Sequence, residues 1–158
     1  MNVLVWLRRR LAERMQRGEE GSAVVEFLGA ALILLIPVVY LIVALAQVQA
    51  ATFAADTAAR EAGRVIAGAD TFAVGSERAA TAVELAFADQ GIAVDGGQVL
   101  QVVCESDPCL MPGAYVHLQV ATAVDLPLVP DILAAELGTQ VRIDAEAMTA
   151  VDEFRQAP

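Results

Sequence analysis

The sequence predicts an α+β fold: a long N-terminal helix that crosses a membrane and continues beyond it, then a second helix and a small three-stranded antiparallel sheet. Three observations predict it: twenty uncharged residues from Phe27 to Ala46, a small-residue repeat of helical period that continues past them, and three later segments of strand character. The expected layout is a basic cytoplasmic leader over 1–21, a helix over 22–68 with its span at about 27–46, and a small extracytoplasmic domain over 69–158.

The apolar run FLGAALILLIPVVYLIVALA matches the roughly 20 residues a helix needs to cross a bilayer. The remaining sequence is too poor in large apolar side chains to surround such a helix as a soluble core. Pro37 removes one backbone hydrogen bond in mid-span, a defect that membrane helices tolerate. Five arginines (Arg8, Arg9, Arg10, Arg14, Arg17) precede the run, whereas Arg60 and Arg64 are the nearest to follow it. Basic residues stay on the cytoplasmic side, so the N-terminus is expected inside. Ala44-Leu45-Ala46 resembles a signal-peptidase site, which leaves a released domain as an alternative, although the run is longer than a usual signal core.

Charge excludes one class of function. The net charge is −10 and the chain has no lysine. Sixteen acids against five arginines from Phe53 onward give no basic face for a nucleic acid. Past the span, Ala46, Ala50, Ala54, Ala58 and Ala62 recur every four residues, as do Ala55, Ala59, Gly63 and Ala67. Such ridges let a second helix approach closely.

Glu26 stands at the mouth of the apolar run between Val24-Val25 and Phe27, where an acid is costly. Gly21-Ser22-Ala23-Val24-Val25-Glu26-Phe27 places a glycine behind an arginine-containing leader, then a small residue, then a glutamate at the fifth position from Ser22. This arrangement resembles a type IV prepilin N-terminus. More narrowly, RGEEGSAVVEF, the apolar span and AADTAAREAGRVIAGA resemble the TadE-like family, minor pilin-like proteins of bacterial tight-adherence pilus systems; the resemblance covers residues 17–68. One departure is that the family's proline lies nearer the glutamate than Pro37 does. The resemblance implies processing by a prepilin peptidase between Gly21 and Ser22, with Ser22 as the new N-terminus. It implies that Glu26 faces the α-amine of a neighbouring subunit, and that the partners are the membrane, other pilin-like subunits and pilus assembly proteins. A carboxylate and an ammonium in low dielectric attract strongly, each offsetting the other's desolvation. The leader itself, with Val3 to Leu7 and Trp6 ahead of its arginines, suits either a surface-lying helix or an unstructured tail.

Beyond Gly68, a break at Gly75-Ser76 precedes an expected helix from Glu77 to Gln90, with Ala79, Val83, Ala86 and Phe87 on one face and Gly91 as its stop. Strands are expected over Gln98–Cys104, Ala114–Val124 and Thr139–Val151. In the second, Val116, Leu118, Val120, Thr122 and Val124 alternate with Tyr115, His117, Gln119, Ala121 and Ala123; in the third, Val141, Ile143, Ala145 and Ala147 oppose Arg142, Asp144, Glu146 and Met148. Period two with one polar side describes half-buried antiparallel strands. The joint between them holds Pro127, Pro130 and a short helical stretch at Asp131 to Leu137.

Cys104 and Cys109 flank the turn-rich Glu105-Ser106-Asp107-Pro108 and read as a disulfide across a hairpin outside the cytoplasm, with free thiols or a metal site as alternatives. Zinc needs about four ligands, and His117, the only histidine, is the one residue available to add. The chain has no nucleophile elbow, no phosphate-cradling glycine loop and no second histidine. An enzyme and a cofactor are therefore not expected. The expected function is structural, a pilin-like assembly component; the alternative is an uncleaved, membrane-tethered binding module with an acidic outer domain.

Overall fold

The computed structural model describes residues 19–127 and 139–156. The elements run α1 (Glu19–Ala67), α2 (Phe72–Ala88), a single turn α3 (Gly96–Val99), β1 (Leu100–Cys104), β2 (Tyr115–Asp125) and β3 (Gln140–Ala150). This is the α+β layout expected, with three strands in the antiparallel order β1-β2-β3. The leader segment around Trp6 and the stretch from Asp131 to Leu137 lie outside the described residues. The chain divides into two compact units, one ending at Ile42 and one beginning at Val43.

In the first unit α1 is apolar on every side. Thirteen large apolar residues between Val24 and Ile42 are 45–77% exposed, a surface that water does not tolerate as one continuous patch. Alanine, leucine and isoleucine sustain the helix, and it runs through Pro37 without ending. It is long and apolar enough to cross a membrane.

In the second unit the same helix becomes the spine of a small core. Its buried positions are Ala51, Ala54, Ala55, Ala58, Ala59, Ala62 and Ile66, all at most 2% exposed. Because alanine projects only a methyl group, the helix backbone lies close to its neighbours, which supply the bulk: Phe87 and Val83 from α2, Val116, Leu118 and Val120 from β2. The small-residue ridges expected to let a second helix approach are thus largely covered by the chain's own domain. The reason is energetic: a thin domain with few large side chains gains burial by bringing its backbones together.

Gly63 sets the closest approach. A Cβ there would fall on Thr149 Oγ1 and within 3.0 Å of Leu118 Cδ1. At the other end of the contact, Gln47 Nε2 donates to the Asp125 carbonyl at 3.2 Å. From Gly63 to Gln47 the helix covers about 24 Å at its usual rise, and from Leu118 to Asp125 a strand also covers about 24 Å. So β2 runs antiparallel to α1 along this contact, and the β2–β3 end of the domain lies beside the end of the apolar run.

Helix α2 begins at Phe72 rather than Glu77. Thr71 is an N-cap in extended conformation whose hydroxyl accepts from Val74 N at 3.4 Å, and such caps stabilise a helix start. Gly75 does not break the helix; it is buried where a Cβ would come within 3.0 Å of Ala69 Cβ and 3.2 Å of Ile66 Cα. Gly91, at φ +71°, follows the helix end as a left-handed stop. Asp95 then caps α3, accepting from Gly97 N and Gln98 N, and this turn delays β1 to Leu100 instead of Gln98. The other two strands differ from expectation only by a residue or so at their ends.

The end of α1 is held from far along the chain. Arg155 donates to the carbonyls of Ala67 at 3.1 Å and Ala69 at 2.9 Å. A cation there satisfies orphan carbonyls and complements the helix dipole.

Gly63→Ala is expected to destabilise the detergent-solubilised chain by about 1–3 kcal/mol through overpacking against Thr149 and Leu118. Gly29 has nothing within 4 Å of its would-be Cβ, so Gly29→Ala should be neutral or mildly stabilising. Denaturant unfolding followed by circular dichroism measures both.

Candidate functional site

Gly21 and Ser22, between which the expected processing point falls, lie in α1, described from Glu19 onward. Glu26 is exposed. It is the last charged residue before Asp56, thirty positions on. One turn further, Gly29 leaves open space beside it on the helix surface. A carboxylate at an apolar boundary, next to a position with no side chain, can accept an ammonium group carried on a closely packed helix. That is the chemistry this end of α1 offers.

The other notable constellation is in the second unit. Cys104 closes β1, and it is joined to Cys109 as a disulfide with Cα atoms 5.5 Å apart. Two hydrogen bonds hold the base of the loop: Glu105 N donates to the Tyr115 carbonyl at 3.0 Å, and Tyr115 N donates to the Glu105 side-chain Oε2 at 3.0 Å. Just past the disulfide, Leu110 adopts φ +69° with its side chain 1% exposed. A left-handed conformation costs an L-residue roughly 1–2 kcal/mol, and full burial of a leucine offsets that by about 1.5–3 kcal/mol. Leu110 thus anchors the loop to the core.

The face of the sheet turned away from α1 is open. His117 is exposed and lies in register between Val103 and Met148, which are 64% and 61% exposed. The adjacent row is Gln101, Gln119 and Glu146. These rows line a shallow groove with one imidazole flanked by two apolar side chains, an arrangement without a paired acid to orient a base. Among the described residues no cluster of three or more His, Cys, Asp or Glu side chains could hold a metal ion.

On the helix face opposite the core, Asp56 and Arg60 pair at 3.4 Å, and Glu61 and Arg64 at 2.6 Å. The hydrogen bond that Arg64 donates to Glu61, and then the charge of that carboxylate, raise the Arg64 pKa above its ordinary value. Both pairs are solvent-exposed, so they contribute little to stability.

Sequence reasoning did not single out Gln47, Leu110 or Arg155. Each acts through a contact with residues remote in the chain, and nothing in the local pattern announces it. The resemblance on residues 17–68 likewise gains no further support from known proteins: no family model matches the chain, and neither the curated proteins nor the solved structures contain a match.

Closing so short a loop constrains the unfolded chain, and the chain-entropy account assigns this about 2 kcal/mol. The Cys104→Ser, Cys109→Ser double variant should lose that much in denaturant unfolding relative to the oxidised parent. An unchanged midpoint would mean that Leu110 and the strand-end bonds hold the loop without it.

Proposed function

We propose that the chain is a single-pass membrane protein serving as a pilin-like structural component of a tight-adherence-type pilus or related secretion apparatus. In this reading its N-terminus is cytoplasmic, its domain lies outside the cytoplasm, and a prepilin peptidase cleaves between Gly21 and Ser22. The observation that carries the reading is the division of α1: one continuous helix, apolar all round as far as Ile42 and core-forming from Ala44 on, with Glu26 as the last charge before Asp56. A helix of this kind can leave a bilayer only if other apolar surfaces, such as further helices, replace the lipid around it. Removal of the leader would expose an α-amine at Ser22, four residues ahead of Glu26, and a neighbour's amine could then neutralise that carboxylate. The partners are the membrane, other pilin-like subunits and the proteins that assemble them, and the role is structural rather than catalytic.

A second reading is favoured by the open sheet face around His117: an uncleaved, membrane-tethered binding module. The two readings part at residues 21–26.

Intact mass and N-terminal sequencing of the membrane-extracted chain, co-expressed with its own prepilin peptidase, separates them. The assembly reading requires a chain that starts at Ser22, and it requires Glu26→Gln to leave expression intact while sharply reducing assembly. A chain that starts at Met1, with Glu26→Gln indistinguishable from the parent, would favour the tethered module.

A further inference from the structure

The open face of the sheet carries one side chain that its pattern does not call for. On β3 the exposed positions are Gln140, Arg142, Asp144, Glu146, Met148 and Ala150, and a solvated strand face is ordinarily polar. Met148 departs from that row. It is a long thioether side chain left 61% exposed, where methionine ordinarily fills gaps inside a core. The residue directly opposite it on β2 is His117, the only histidine in the chain. Both side chains are exposed, and both line the same groove.

Directly opposed residues of an antiparallel pair hold their Cβ atoms about 4.5–5.5 Å apart on one face of the sheet. An imidazole nitrogen and a thioether sulfur carried at that spacing reach a single ion between them, since such donors sit about 2.0 Å and about 2.3 Å from a metal. The unbranched methionine chain adjusts to the gap. No acid competes for the imidazole: the ion pairs among the described residues both lie on α1, and Glu146 stands on the diagonal from His117, a spacing of about 7–8 Å. Val103 closes the other flank with an apolar side chain. The donor set then decides the ion. Zinc takes about four ligands and calcium or magnesium takes oxygen, whereas a thioether selects copper(I) and an imidazole suits copper as well. The domain's excess of acids, sixteen against five arginines from Phe53 onward, draws cations towards its surface.

We propose that His117 and Met148 form a two-donor site for a soft monovalent cation of the copper(I) class on the open face of the sheet. The site stands on the register of β2 against β3 alone. It is independent of the reading of α1 and goes beyond the assembly role proposed above.

The test uses the full chain in detergent with its disulfide intact. Copper(I), supplied without oxygen as its acetonitrile complex, is titrated in competition with a chromophoric copper(I) chelator. Silver(I) serves as a second soft probe in NMR of a chain labelled at its methionine methyl carbons. The parent is expected to bind copper(I), and His117→Gln and Met148→Leu are each expected to weaken that binding by about 10-fold or more, while Met111→Leu leaves it unchanged. Silver(I) is expected to move the methyl signal that Met148→Leu removes and to leave that of Met111 in place. Both site substitutions fall at exposed positions, and circular dichroism of each variant checks that the fold is kept. Parental affinity in both variants, or a Met148 methyl signal that silver(I) does not move, would overturn the proposal. Zinc(II) binding as tight as that of copper(I), and lost in the same two variants, would overturn the assignment to a soft ion.

Discussion

The close approach of α1 to the sheet is the constraint on which the rest of the structure depends. Between Gln47 and Ile66 the helix buries methyl groups and one missing side chain, Gly63, against β2, β3 and α2. A larger residue at any of these places would push the sheet away from the helix. With so few large side chains elsewhere in the domain, no other core could replace the one lost. The glycines at 75 and 96 obey the same rule, the first letting α2 lie against the end of α1 and the second letting α3 lie against the Ala80 carbonyl of α2. Small residues here are a packing device: dispersion contacts that bulky side chains usually supply come from backbones brought near.

That device also explains how one helix serves two surroundings. Up to Ala46 its surface is made of leucine, isoleucine, valine and phenylalanine, which lose nothing in lipid. Beyond it the exposed face turns polar, with Thr57, Arg60 and Arg64, while the covered face narrows to alanine. The switch needs no break in the backbone. Arg155 secures the far end by satisfying carbonyls at the last turn, and Gln47 secures the near end on β2, so the domain is fastened to its helix at both limits of the contact.

Much of this was legible in the sequence. The apolar run declared itself by length alone. The strands β2 and β3 declared themselves by strict alternation, because a one-residue slip would have put Arg142 and Asp144 into the core. The short spacing between Cys104 and Cys109 in a turn-rich segment pointed to their disulfide. What the sequence concealed was the destination of small residues. An alanine ridge reads the same whether it meets a second helix of another chain or a sheet of its own, since periodicity describes a face and not its partner. The start of α2 was missed for a related reason: Gly75 looks like a break until Ile66 and Ala69 are seen against it. At the candidate site, Glu26 was conspicuous because charge is rare there, whereas Gln47 and Arg155 are ordinary polar residues whose roles exist only in three dimensions.

The account joins an apolar anchor, a conspicuous carboxylate at its mouth and a thin domain fastened along the outer half of the same helix. Its central claim is that these parts lie on the two sides of a membrane in the order given by the chain. The most direct measurement is labelling of an Ala121→Cys variant, exposed on the open sheet face, with a membrane-impermeant maleimide in intact spheroplasts. The account predicts labelling before lysis at the level reached after it; labelling that appears only once the membrane is opened would contradict it.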